Sequence, residues 1–226
     1  MALDTILFDI NETVLNLDSL KSKFKDAFGD EKVASIWFST LLHSSTVCVV
    51  TGVETNFAEL AKIALKDVAS RLGVNLSDEK SQNILGSFAN LQPHCDIIGA
   101  LSKLRTAGYK TVAFSNSSQR LITSQINNAG LVDYFDEIVS VEATGSFKPD
   151  PRVYEYVAKK LGQPKEQLRL VATHDWDIHG ALSVGLKAAY IDRLNSPYNP
   201  LYIQPDIKAD SMHDIVDEII KLGKMY

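Results

Sequence analysis

The chain has 226 residues, 45% of them hydrophobic, enough to bury a full core and to hold one α/β domain with a modest insertion. Its formal net charge is -5 and its lysines are interspersed with acids, so no clustered basic face exists to release counterions from a nucleic-acid backbone. Cys48 and Cys95 stand far apart with no histidine at ligand spacing, which argues against a disulfide framework or a zinc site. A strand pattern begins without a basic leader and no apolar run approaches the length of a bilayer span, so a reducing cytoplasm is the expectation.

The pattern opens with Leu3, Ile6, Leu7 and Phe8, a short apolar run of the kind a buried parallel strand shows, ended by Asp9. After Leu15 the period becomes helical. Leu17, Leu20, Phe24 and Phe28 predict a first helix stopped by Gly29. A second helix is predicted from Val33 to about Ser44, with Val33, Ile36, Trp37, Thr40 and Leu41 on one stripe and Ala34, Phe38 and Leu42 on another, as in a sandwiched helix. Phe57, Leu60, Ala61, Ala64, Leu65 and Val68 mark a third helix, and Ile84, Leu85 and Phe88 a fourth. Pro93 returns the chain to the first domain. The division is residues 1–15 and 92–226 for the core and 16–91 for the helical insertion.

Helix and strand then alternate: helix Ile97 to Leu104, strand Lys110 to Phe114, helix Leu121 to Ala129, strand Glu137 to Val141. Asp150 and Pro151 supply an N-cap and first-turn proline for a helix to Gly162; strand Leu168 to Ala172, helix Ile178 to Val184 and strand Lys187 to Ile191 follow. Five parallel strands result. Asn195 to Pro205 reads as a loop, and Ile215, Val216, Ile219 and Ile220 lie on a final helix.

Polar residues gather just past three strand ends, at Asp9 to Thr13, Ser115 to Ser118 and Thr173 to Asp177. In a doubly wound sheet these ends share one crevice, and Lys148 beside them would add a fixed cation.

The ordered series FDINETVL, FSNSS, FKPDPRVYE and THDWDIHGA resembles the haloacid dehalogenase superfamily and, within it, the type II L-2-haloacid dehalogenases, across the whole chain. The resemblance implies a Rossmann-like core of strand order 3-2-1-4-5 under a four-helix cap inserted after the first strand. It implies Asp9 as nucleophile, Thr13 as its hydrogen-bonding neighbour and Lys148 and Tyr154 as the cationic flank. Asp177 becomes the distal acid, with Ser115, Asn116 and the Ile10–Asn11 backbone as substrate contacts and Phe57 and Trp176 as pocket aromatics. It also suggests a homodimer.

Most members of that superfamily are magnesium-dependent phosphatases, so the reaction has to be argued from the departures. A phosphatase needs an acid two residues after the nucleophile to protonate the leaving alkoxide; this chain has Asn11. The metal-binding aspartate after the fourth strand is replaced by Thr173, so a magnesium site would be weak and no metal or cofactor is expected. Both departures favour displacement at carbon.

Two others leave the usual dehalogenase pattern. Phe38 stands where many members carry an anion-holding arginine. Glu12 and His174 replace a glycine and an asparagine, and could meet above Asp9 as a general-base dyad. His43, His94, His179 and His213 read as packing or surface residues. The expectation is hydrolysis of short L-2-haloacids to 2-hydroxyacids with inversion, through an ester on Asp9 that water activated by His174 and Glu12 then cleaves. A small-molecule phosphatase and a catalytically silent anion-binding module are the alternatives.

Overall fold

In a computed structural model of the chain, residues 4–224 are described. The first apolar run forms strand β1, Thr5–Phe8, all four residues buried; Leu3, assigned to it from sequence, lies outside the described residues. A short antiparallel pair, β2 (Leu15–Asn16) with β3 (Gln92–Pro93), closes the neck of the helical insertion. Strands β4 (Lys110–Ser115), β5 (Glu137–Ser140), β6 (Leu168–Ala172), β7 (Lys187–Ile191) and β8 (Ile207–Ala209) complete a parallel sheet in the order β5-β4-β1-β6-β7-β8. The first five strands carry the expected 3-2-1-4-5 order. The sixth, β8, was not anticipated, because three residues are too few to show a period of two.

Between β2 and β3 run α1 (Asp18–Phe28), α2 (Val33–Thr51), α3 (Phe57–Arg71) and α4 (Asp78–Ser87). Helix α2 departs from expectation three times. It continues past Ser44 to Thr51 and stops at Gly52, whose φ of 69° is the left-handed conformation glycine adopts without strain. Its two stripes merge into one broad face, in which Val33, Ala34, Trp37, Phe38, Leu41 and Ser45 are buried, while Ile36 is 51% and Val50 80% exposed; it is not sandwiched. Its 19 residues lack Asp, Glu, Lys and Arg and reach a mean hydropathy of 1.5, so this apolar run does attain bilayer-spanning length and composition. Here it is a core helix of the insertion, anchored where Trp37 packs on Phe24 and donates its indole N–H to the Ala61 carbonyl at 2.9 Å.

The remaining helices, α5 (Ile97–Thr106), α6 (Gln119–Asn128), α7 (Pro151–Leu161), α8 (Asp175–Ser183) and α9 (Met212–Gly223), follow the βαβ grammar. Asp150 caps α7 by accepting from the Arg152 amide. Helix α8 begins three residues before the expected Ile178, with Asp175 and Asp177 in its first turn, where carboxylates suit the positive end of the helix dipole.

Candidate active site

Register brings the polar segments together. Phe8 lies level with Ala113 on β4 and Val171 on β6, so Asp9, one residue on, emerges beside Ser115 and Thr173 at the C-terminal edge of the sheet. The Asp9 amide still donates to the Val171 carbonyl at 3.0 Å, which fixes the backbone while the carboxylate points out of the ladder.

One flank of Asp9 is a closed ionic cluster. Thr13 Oγ1 donates to Asp9 Oδ2 at 2.7 Å; Lys148 Nζ donates to Asp9 Oδ1 at 3.2 Å, to Asp177 Oδ2 at 2.9 Å and to the Phe114 carbonyl at 2.9 Å. All three protons of the ammonium are therefore used. Tyr154, which the resemblance sets with Lys148 on the cationic flank and so within reach of substrate, is completely buried and donates its hydroxyl to Asp177 Oδ1 at 2.6 Å, so it supports the distal acid from beneath. The helices meet here across Gly180, where an added Cβ would stand 2.6 Å from the Tyr154 oxygen and 2.7 Å from Pro149 Cβ.

The other flank is more open. His174 precedes α8 but makes no side-chain cap bond. Its ring turns toward Asp9 instead, with Nε2 2.9 Å from Glu12 Oε2 and Nδ1 3.3 Å from Asp9 Oδ2. The second approach is at ion-pair distance without hydrogen-bond alignment, which leaves buried Nδ1 with no partner. Trp176 stacks on the imidazole at 5.1 Å, and Phe38, the residue in place of a cap arginine, reaches within 6.3 Å of it.

Charge on the two flanks is set by these contacts. Burial opposes ionisation of Asp9, yet Lys148 and His174 hold its carboxyl well below the ordinary range. Burial likewise disfavours the imidazolium of His174, but Asp9 and Glu12 together push it up to about 10. Lys148 is raised by its two carboxylates against the effect of burial, and burial lifts Asp177 against the pull of Lys148.

The other expected site residues fall around this centre. Asn11 is buried and locked, donating to Ser117 Oγ at 3.2 Å and accepting from Gln125 Nε2 at 3.0 Å. Ser115 Oγ accepts from the Ser117 amide at 3.1 Å and Asn116 Oδ1 from the Lys148 amide at 2.9 Å. Ile10 is fully buried, its carbonyl accepting from Val14 and Leu15. Phe57 faces Phe147 with ring centroids 6.1 Å apart, and with Asn116 these rings bound a space of only about 20 Å³, room for about one water. A far larger cavity of about 520 Å³ lies behind Glu12, lined among others by His94, Arg193 and Asp192; neither Asp9 nor His174 borders it.

Two groups escaped sequence reasoning. Gln125 was legible in principle, as an amide at a core position of α6 between Ile122 and Ile126. His94 reads from sequence as a packing or surface residue, yet its Nε2 lies 2.9 Å from the Glu12 carbonyl.

A divalent cation, which the superfamily implies, does not fit these residues. The Thr173 hydroxyl stands where a metal-binding carboxylate would be needed and already accepts from the Arg193 amide at 3.2 Å. The positions between the acids belong to Lys148 and to cationic His174, and no cluster of three metal-ligating side chains occurs among the described residues.

Known proteins resemble the chain in sequence and in fold. The chain is 28% identical over 201 residues to an (S)-2-haloacid dehalogenase of Pseudomonas fluorescens, covering 88% of each. It is 29% identical over 203 residues to one of Pseudomonas putida, covering 88% of this chain and 89% of that protein. The structure of the L-2-haloacid dehalogenase from Xanthobacter autotrophicus with chloropropionic acid covalently bound has the same fold, with a TM-score of 0.89 at 22% identity over 96% of this chain and 98% of that one. Residues 3–185 match the model of the haloacid dehalogenase-like hydrolases. A buried aspartate at the end of the central strand, flanked by lysine and threonine under a helical insertion, is thus set in a matching sequence frame, and the chain belongs to the haloacid dehalogenase-like hydrolase family.

Proposed function

We propose that the chain hydrolyses short L-2-haloacids to 2-hydroxyacids by two successive displacements at Asp9. In the first, an Asp9 oxygen attacks the halogen-bearing carbon from behind; the new C–O bond forms as halide leaves with its electron pair, and the carbon inverts. In the second, water gives a proton to the His174 imidazole as its oxygen attacks the carbonyl carbon of the resulting ester; the acyl C–O bond breaks, the departing alkoxide takes that proton back from the imidazole, and Asp9 is restored as its carboxyl ionises. Thr13 and Lys148, each on a different Asp9 oxygen, orient the carboxylate and meet the charge that develops at the carbonyl in the second step.

Timing of the base follows from charge. In the free site the contacts with Asp9 and Glu12 make His174 hold its proton. Ester formation neutralises Asp9 and removes one of the two anions that retain that proton. Glu12 keeps Nε2 protonated, while Nδ1, 3.3 Å from Asp9, gives up its proton to solvent once Asp9 is uncharged and can then accept one from the attacking water.

Asn11 carries the choice of reaction. It occupies the place of the phosphatase acid as an amide pinned by Ser117 and Gln125, and an alkoxide leaving group would find no proton there, whereas halide needs none. Ile10, Ser115, Asn116, Phe57, Trp176 and Phe38 are the residues we place around the substrate. Residues 16–91 act as a cap over the core of residues 1–15 and 92–226, moving away to enlarge the small space under Phe57. Homodimer formation, read by sedimentation, and a cytoplasmic location, read by fractionation, complete the proposal. The deciding assay is halide release from L-2-bromopropionate or bromoacetate in EDTA, beside p-nitrophenyl phosphate turnover with magnesium. Halide release in EDTA is expected; phosphate release alone would overturn the reading.

A further inference from the structure

Glu12 is one of only two non-glycine residues at positive φ among the described residues, with φ 67°. A Cβ in this left-handed region is unfavourable, so surrounding contacts must hold the conformation. Two backbone bonds do so. The Glu12 amide donates to the Leu15 carbonyl at 2.8 Å, and its carbonyl faces His94 Nε2 at 2.9 Å. A carbonyl only accepts, so Nε2 of His94 carries the proton.

His94 is itself tied to the same turn: its amide donates to the Val14 carbonyl at 3.0 Å, and it follows directly on β3, whose Pro93 pairs with Leu15. The His94 ring thus reaches back across the neck of the insertion to the residue whose carboxylate holds His174 Nε2.

We infer that His94 is a positioning residue for ester hydrolysis: by donating to the Glu12 carbonyl it holds that residue in its left-handed conformation and keeps the Glu12 carboxylate on His174 Nε2. The inference rests on the two-step reading above and concerns only its second step. Halide displacement uses Asp9, Thr13 and Lys148, none of which hydrogen-bonds to His94. Loss of the His94 donor therefore acts on the life of the ester and leaves its formation alone.

The test follows the Asp9 ester by intact-protein mass spectrometry after L-2-bromopropionate is removed, with its formation timed by rapid quench. His94→Ala should slow ester decay by about three- to tenfold, what one net hydrogen bond amounts to, while formation stays within about twofold of native. His94→Phe, which keeps the ring's bulk without the donor, should match it and serves if the alanine variant does not fold. His94→Gln, which returns an N–H near the same point, should recover most of the rate. In a Glu12→Gly background, where no carboxylate remains to orient and glycine accepts the conformation, removing His94 should add nothing. Native ester decay in both donorless variants, equal slowing of formation and decay, or an undiminished effect in the Glu12→Gly background would each overturn the assignment. Glu12→Gln separates the two levels: if it decays at the native rate the dyad itself fails, whereas slow decay in Glu12→Gln beside native decay in His94→Phe removes only the role of His94.

Discussion

The two flanks of Asp9 differ in how completely their polar atoms are used. On the Lys148 side every ammonium proton has an acceptor, Asp177 is wholly buried, and Tyr154 closes the cluster from below. On the His174 side one ring nitrogen is bound to Glu12 and the other has no hydrogen bond. A saturated cluster keeps its charges and geometry fixed; a ring nitrogen beside Asp9 with no hydrogen bond can give up and regain its proton as the charge on Asp9 changes. In the two-step reaction proposed above, this difference gives holding to one side and proton transfer to the other.

The largest break removes what both flanks serve. Asp9→Asn should abolish halide release, since an amide is a far poorer nucleophile toward carbon, with the fold retained by circular dichroism. A folded, active Asp9→Asn protein would refute the nucleophile. In a single turnover in 18O-labelled water, the native 2-hydroxyacid should carry unlabelled oxygen from Asp9; label in that first product would point to direct attack by water.

Next come the flanks separately. His174→Ala should give a halide burst of about one equivalent and then stall, with ester retained on Asp9, because losing a general base costs on the order of 100- to 10,000-fold. Glu12→Gln should show a milder version. Loss of the burst as well in His174→Ala would move the imidazole from base to substrate binding. Lys148→Ala should instead destabilise the fold by about 3–5 kcal/mol in denaturant titrations, because it strands Asp177 as an unpaired acid in the core.

The smallest effect is one of pH. The folded His174 value of about 10 lies above its ordinary 6.5, so its contribution to stability is complete below about pH 6.5 and disappears as pH rises through about 10. Native protein should therefore lose more melting temperature between pH 7 and 10 than His174→Gln does. Parallel curves would mean that the imidazole is not held as a cation.

The Lys148 side was legible in the sequence and the His174 side only in part, for a physical reason. Asp9, Thr13 and Asp177 come just after strand ends and Lys148 just before the Pro151 helix, so the βαβ alternation brings them to one edge of the sheet, and the resemblance supplied their roles. Glu12 and His174 pair across adjacent strand ends and were legible as two departures from one pattern. His94 was not, because its partner is a backbone carbonyl, and a backbone acceptor leaves no trace in residue identity. The length of α2 escaped for another reason: Ser44, Ser45 and Thr46 dilute its apolar pattern while its helix continues to Gly52. Tyr154 was visible as a residue but not as a depth, since the close approach at Gly180 that sinks it under Asp177 depends on how two helices pack.

Phe38 has a consequence of another kind. The face of α2 nearest His174 is hydrocarbon, so every formal charge around Asp9 comes from the core side of the cleft. For protein engineering, acceptance and reactivity can then be adjusted on different pieces of chain. Trimming Phe38 or Phe57 would reshape the chamber for bulkier or longer acids while the proton inventory stayed as it is, a freedom closed to a scaffold whose lid carries its own guanidinium.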